Sequence, residues 1–158
     1  MADVDRWVLL SYRLPRDPSA PRLAVWRRLK RLGVAQLLDG LVALPLDSRN
    51  REQLEWVAQQ VVEADGEAAV WLAEPTLASQ ARAVSAEMQT RIAASYGAVI
   101  KEAAAATGTA PRDRRRVLLK LRRELNRIRR RDYFPPPERA AAHSAVEALA
   151  SSVEEDAA

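Results

Sequence analysis

The chain contains no cysteine in its 158 residues, so it can form neither a disulfide nor a thiolate metal site, and it has no thiol nucleophile. Histidine is nearly absent as well: His143, the single one, lies in an alanine-rich segment where we expect no catalytic role. No apolar run approaches the roughly 20 residues that a membrane-spanning helix requires. The sequence therefore predicts a protein that is not an enzyme, holds no metal or other cofactor and has no membrane partner.

The N-terminus also lacks the features of a secretory signal. The segment MADVDRWVLL places acidic residues before a short apolar run and contains no small-residue cleavage site. We therefore expect the protein in the cytoplasm. Lysine is scarce, because only Lys30, Lys101 and Lys120 occur among the 25 basic residues. The other cations are arginines, whose planar side chains can pair with a phosphate through two hydrogen bonds.

What the chain has in excess is positive charge in one short stretch. The net charge is only +4, yet residues 109–139 hold 12 basic against 4 acidic residues, most of them between Arg112 and Arg131. Residues 1–78 hold 10 basic against 11 acidic residues, and residues 140–158 hold none against 4. Charge of one sign concentrated in this way favours a polyanionic partner. The same run also fits the solvated face of a helix, and charge alone leaves both interpretations open.

The first half alternates strand-like and helix-like segments. Trp7–Leu14 is rich in β-formers, and Asp39-Gly40 predicts a tight hairpin turn whose central residues need positive φ. The predicted order is strand, helix, strand, strand, helix, strand. This order predicts the α+β class and a ferredoxin-like βαββαβ domain, with two helices on one face of an antiparallel sheet. The other predicted features are a helix over Arg22–Leu32 with Ser19 as its cap and Gly33 as its stop, a second helix capped by Asp47 or Ser48 with Leu54, Val57, Ala58 and Val61 on its buried face, and a last strand over Glu67–Leu72.

Four tryptophans fall in this half of the chain. The core is the commoner position for so large an apolar side chain, although tryptophan also serves at contact surfaces. We expect Trp26 and Trp71 in the core, whereas Trp7 and Trp56 fit either position.

The second half is predicted to form three helices. The first is a helix of roughly 25 residues with an apolar stripe from Leu77 to Ala103. The basic helix follows, with Thr109 as its predicted cap and Pro111 in its first turn. Its narrow apolar seam suits either an antiparallel partner helix or a dimer mate. We expect a last helix over 138–151. The predicted organisation is a ferredoxin-like domain over 1–76, a helical extension over 77–152 and a disordered tail over 153–158, with Leu118, Leu121, Leu125 and Ile128 forming the seam.

Several of these pieces occur in the order known from one family. They are the strand WVLLSYRLP, the basic helix WRRLKRLG, the hairpin LLDGLVALP, the Glu-Trp pair of the second helix and the segment RELNRIRRRDYFPPPER. Together they resemble the N-terminal domain of ChrB, the chromate-resistance regulatory protein. The resemblance implies a chromate-responsive transcriptional repressor whose N-terminal domain contacts promoter DNA. It also implies a second domain associated with sensing, which has no counterpart in these residues, so we do not expect this chain to sense chromate alone.

DNA binding is the function that the charge and the resemblance favour together. Each arginine that pairs with a phosphate releases condensed counterions, so affinity for DNA should fall steeply with salt. Two helices supply such side chains, and a homodimer would double the number of phosphate contacts. The candidate DNA-binding residues are Arg22, Arg27, Arg28, Lys30 and Arg31 in the first helix, and Arg114, Arg115, Arg116, Arg122, Arg123, Arg127, Arg129 and Arg130 in the basic helix.

Two other functions stay open at this point. The same arginines could hold chromate or another oxyanion, and the apolar seam with the sheet edge could form a protein-interaction module without catalysis. A third is disfavoured. The first half is more distantly similar to the domain shared by PaaX-type repressors and small CRISPR-associated nucleases, and that nuclease chemistry implies an aspartate at the end of the first strand. Arg13 stands there instead, and it cannot bind a cation.

Overall fold

The computed structural model describes residues 4–158 and confirms the α+β class. Within these residues four strands form one antiparallel sheet, and five helices accompany it. The elements in chain order are β1 (Trp7–Arg13), α1 (Ala20–Leu32), β2 (Ala35–Leu38), β3 (Leu41–Pro45), α2 (Ser48–Glu63), β4 (Glu67–Ala73), α3 (Ala78–Ala106), α4 (Pro111–Arg130) and α5 (Glu138–Ala157).

The chain divides into two compact units. The first unit ends at Met88 and the second begins at Gln89, so the boundary lies inside α3. The sequence placed the boundary after residue 76, in the turn that precedes this helix. A helix of 29 residues can contribute its first turns to one unit and the remainder to the other.

The sheet of the first unit has the strand order β2-β3-β1-β4. Side chains alternate between its two faces, and Val8 and Leu10 of β1 are fully buried on the face that α2 covers. Helices α1 and α2 pack against each other, with Val25 and Leu29 on the buried side of α1. On α2 the buried positions include Leu54, Val57 and Val61, as the apolar spacing predicted.

The hairpin between β2 and β3 turns at Asp39-Gly40, as predicted. Of its two central residues only Gly40 has a positive φ, at 74°. The expectation that both residues take positive φ is therefore wrong. Tyr12 donates its backbone N–H to the Gly40 carbonyl at 2.8 Å, and a Cβ on Gly40 would lie 2.5 Å from the Tyr12 carbonyl oxygen. Glycine is required here both for its φ and for this close approach.

The helix caps follow the sequence only in part. Asp47 caps α2, because its side chain accepts a hydrogen bond from the Asn50 N–H at 2.7 Å. Ser19 makes no such bond: its own backbone is helical, and Pro21 lacks one of the two N–H groups that a capping side chain can bind. Thr109 does not cap α4 either. Its hydroxyl donates to the Ala106 carbonyl at 2.7 Å, at the end of α3, and Ala110 is the residue that precedes α4.

The tryptophan positions correct the sequence-based expectation. Trp7 is buried, with 3% of its surface exposed, whereas Trp26 and Trp71 are 50% and 57% exposed and do not belong to the core. Trp56 is 49% exposed. Trp26 lies on the solvent side of α1, where the Lys30 ammonium sits 4.8 Å from its ring centre. Trp71 pairs with Leu9 across β4 and β1, on the face opposite Val8 and Leu10, where its indole N–H donates to the Ser11 hydroxyl at 2.9 Å.

The second unit buries the apolar seam of α4 between helices of the same chain. Leu118, Leu121, Leu125 and Ile128 join a core that includes Tyr96 of α3 and residues of α5. The antiparallel partner helix was thus the correct alternative for the seam. Helix α5 runs to Ala157, beyond its predicted end at Ser151. The prediction of a disordered tail over 153–158 is wrong for residues 153–157, because Val153 packs into this core.

Candidate nucleic-acid interface

Helix α4 separates apolar from basic side chains. The seam occupies its buried side, and arginine covers most of the remaining surface. The helix begins at Pro111, carries Asp113 in its first turn and ends with basic residues in its last turn. Asp113 and the basic last turn stand at the ends where the helix dipole favours them, whereas Arg112 and Arg114 in the first turn do not. The buried seam is therefore the main feature that keeps so cationic a segment helical.

Six arginines of α4 are exposed and form no ion pair within residues 4–158. No carboxylate within residues 4–158 pairs with any of them, so their charge is not neutralised inside the protein. Their charge therefore faces solvent and is available to a polyanion. These six free arginines are Arg112, Arg115, Arg122, Arg123, Arg129 and Arg130.

Other cations of α4 have carboxylate partners. Arg116 pairs with Asp113 at 2.9 Å and Arg127 pairs with Glu124 at 3.3 Å, both within the helix. Lys120 pairs with Glu102 of α3 at 2.6 Å. These three side chains are largely exposed, and such surface pairs are weak enough to exchange partners.

Arg114 is the exception among the predicted contact residues. Its side chain is only 16% exposed and pairs with Asp156 of α5 at 3.0 Å. The start of α4 is thereby tied to the end of the antiparallel α5. Because its side chain is mostly buried and paired, Arg114 has a structural role. We therefore exclude it from the proposed DNA-contacting residues.

The exposed arginines form two rows along α4. Residues seven apart lie nearly above one another on a helix, at a spacing of about 10.5 Å. We call the residues Arg115, Arg122 and Arg129 the first row. The second row lies about 100° around the helix and extends over about 27 Å. It contains Arg112, Arg116, Arg123, Arg127 and Arg130.

Helix α1 carries the other predicted contact residues, and fewer of them are free. Arg27 and Arg31 are exposed and form no ion pair among the described residues. Arg28 is half-buried and donates to the Gln60 side-chain oxygen at 3.0 Å, while Lys30 lies over the Trp26 ring. Arg22 is exposed near Tyr12: burial raises the pKa of Tyr12, and the positive charge of Arg22 opposes that rise.

A comparison with protein families identifies the chain. The family model described as "Protein ChrB, N-terminal" matches residues 22–106, which is more than half of the chain. The chain belongs to the ChrB N-terminal family. This membership associates the protein with chromate resistance. No curated protein and no solved structure matches the chain.

The match to the ChrB family begins at Arg22 and ends at Ala106, so it covers α1 and α3 but stops before α4. The predicted likeness of the segments WVLLSYRLP and RELNRIRRRDYFPPPER to the family therefore lies outside the matched range. The basic surface of α4 stands on its own geometry.

Beyond α4, this ChrB-family chain has a buried polar pair that sequence reasoning missed. Asp132 follows the helix, its side chain is fully buried, and its carboxylate accepts a hydrogen bond from the Tyr96 hydroxyl at 2.8 Å. Arg139 of α5 approaches the same carboxylate at 3.7 Å. Burial raises the pKa of Tyr96 to about 12, and the hydrogen bond to Asp132 and the charge of Asp132 add to the rise. The two residues are 36 positions apart in the sequence, so no local sequence pattern predicts that they pair.

Across residues 4–158 there is no group of three or more histidine, aspartate or glutamate side chains that could hold a metal ion. In the same part of the chain no helix is both long and apolar enough to cross a membrane.

Proposed function

We propose that this ChrB-family protein is a transcriptional regulator, a repressor in chromate resistance, and that it binds duplex DNA mainly through α4. The observation that carries the proposal is the set of six free arginines on the exposed surface of α4. The ChrB family membership supports the link to chromate resistance. Helix α1, with Arg27 and Arg31, is a secondary contact in this proposal.

The physical basis is phosphate neutralisation. Guanidinium groups pair with phosphate oxygens through charge-assisted hydrogen bonds and displace condensed counterions. The 20 residues of α4 span about 30 Å, close to one turn of B-DNA. A rigid helix therefore presents its arginine rows at the scale on which a duplex repeats.

Oxyanion sensing receives less support from the same residues. The free arginines are exposed, so a chromate ion beside them would remain hydrated and screened by salt. A polyanion engages many of these side chains at once, and a small oxyanion engages few. The arrangement therefore favours DNA as the ligand.

We also propose that residues 7–73 form a ferredoxin-like domain. The support is the βαββαβ order of elements, the antiparallel sheet and the packing of α1 against α2. A homodimer remains part of the proposal as well. Because the seam of α4 is buried in its own unit, a second copy would use a different surface, such as an edge of the sheet.

The first-row variant Arg115→Ala/Arg122→Ala/Arg129→Ala tests DNA binding. Fluorescence anisotropy with a labelled duplex, at several salt concentrations, measures the affinity and its salt dependence. We expect weaker binding at every salt concentration. The slope of log affinity against log salt should become shallower by about 2.7, since each lost phosphate contact contributes about 0.9.

A matched control removes the same charge elsewhere. Arg16, Arg49 and Arg82 are exposed, form no ion pair in the described part of the chain and lie outside both basic helices. The triple alanine variant at these positions should keep the salt slope of the natural protein. If the control variant and the first-row variant lose affinity equally, net charge rather than α4 determines binding. If only variants at Arg27 and Arg31 weaken binding, α1 is the contact helix.

A further inference from the structure

The exposed face of α4 contains two uncharged side chains in its middle, Leu119 and Asn126. Leu119 is 52% exposed although it is a large apolar residue. Asn126 is exposed and makes no hydrogen bond within residues 4–158. Neither residue belongs to the core of the second unit, so both side chains are available to a ligand.

The two arginine rows flank these residues on either side. At about 100° per residue, the line through Leu119 and Asn126 lies about 50° from the first row and about 50° from the second row. Leu119 and Asn126 are seven residues apart, which is about 10.5 Å along the helix. Three base-pair steps of B-DNA cover nearly the same distance, about 10 Å.

We propose that α4 lies in the major groove of duplex DNA, with Asn126 reading the edge of an adenine and Leu119 contacting a thymine methyl group. The inference rests on the DNA-binding function proposed above and adds the residues that determine sequence preference. The two arginine rows then face the phosphates on the two walls of the groove.

The dimensions and the chemistry agree with this placement. The major groove is about 12 Å wide and admits a helix whose diameter with side chains is about 10–12 Å. The Asn126 side-chain amide can donate its N–H to adenine N7 while its oxygen accepts a hydrogen bond from the adenine N6 amino group, which is the bidentate pairing of asparagine with adenine in the major groove. Duplex RNA offers no equivalent, because its major groove is too narrow for side chains to read.

Selection from a pool of DNA duplexes with a randomised centre tests the proposal. The full chain is used, and sequencing of the bound duplexes measures base preference at each position. The natural protein should enrich one adenine position, with a preference of roughly 5- to 150-fold over other bases. Asn126→Ala should lose that preference. Leu119→Ala should weaken the preference for thymine at a position about three base pairs away.

Two measurements separate base reading from folding and from general affinity. Asn126→Ala should keep the melting temperature of the natural protein, and it should bind the unselected pool with the same salt slope, because both arginine rows remain. Ser144→Ala removes another exposed, neutral polar group in the same unit, on α5, and should keep the full base preference.

The outcomes distinguish this inference from the proposed function. If Asn126→Ala enriches the same sequences as the natural protein, or if the natural protein binds the pool without enriching any sequence, base reading by α4 is wrong while DNA binding stands. A changed salt slope for Asn126→Ala also overturns the inference. If the natural protein fails to bind the pool even at low salt, the proposed function itself is wrong.

Discussion

Asp132 brings a carboxylate into the interior of the second unit, directly after the basic helix. Its side chain is fully buried, and the Tyr96 hydroxyl donates to it at 2.8 Å. A buried carboxylate without partners is costly, so the Tyr96 hydroxyl and the nearby Arg139 guanidinium stabilise this position. The pair joins α3 to the end of α4 and thereby helps to hold the arginine rows in place.

The raised pKa of Tyr96 predicts how stability depends on pH. In the unfolded chain Tyr96 loses its proton near its ordinary pKa of 10.0, whereas the folded protein keeps the proton up to about 12. Between these values the unfolded state binds fewer protons, so the free energy of unfolding should fall as pH rises. Urea unfolding measures this fall. Tyr96→Phe should be less stable by about 1–3 kcal/mol at neutral pH.

The same variant supplies the control for that pH dependence. Because Tyr96→Phe has no proton to lose, the difference between it and the natural protein should shrink as pH rises from about 10 to about 12. Asp132→Asn keeps an acceptor oxygen but removes the negative charge that helps to raise the pKa of Tyr96. In this variant the free energy of unfolding should therefore fall over a narrower pH range. A difference that stays constant across the window would show that Tyr96 does not control stability at high pH.

At the scale of elements, the sequence predicted correctly those features that depend only on the residues of one segment. The seam of α4 and the stop of α1 at Gly33 are both of this kind. Trp26 and Trp71 were placed wrongly because the neighbours that leave them exposed come from the fold, not from their own segments. Val153 was missed because an alanine-rich segment shows a weak apolar stripe.

Helix α4 also carries repulsion among its own cations. Arg123 has like charges at three- and four-residue spacing in Lys120 and Arg127, whereas Arg122 has none at these spacings. Each such like-charge pair destabilises a helix by about 0.2–0.5 kcal/mol. Arg123→Ala should therefore be more stable than Arg122→Ala by about 0.4–1 kcal/mol, as measured by urea unfolding at low salt.

The two variants are matched, because both side chains are exposed, belong to one helix and form no ion pair among the described residues. Salt screens interactions between exposed charges, so the difference should decrease as salt is added. Equal stability of the two variants at low salt would mean that repulsion within α4 is negligible.

At the scale of the whole molecule, the charge is divided unequally between the two units. Residues 1–88 hold 11 basic against 12 acidic residues, and residues 89–158 hold 14 against 9. The sequence alone could locate this charge and predict its helix. It could not predict which basic side chains stay free. Asp156 pairs with Arg114 and Glu102 pairs with Lys120, and these partners are far apart in the sequence and meet only in the folded chain.

This division of charge predicts where a bound duplex should slow the hydrogen exchange of backbone amides. Hydrogen exchange of the full chain, with and without duplex DNA, measures local opening along the backbone. A ligand that binds only the closed state slows exchange, by up to about 100-fold when its concentration is a hundred times Kd. We expect slower exchange in α4, a smaller effect in α1 and no effect when salt releases the duplex. Protection confined to α1 would place the contact surface on the first unit, because a duplex that neutralises the free arginines of α4 must lie against that helix.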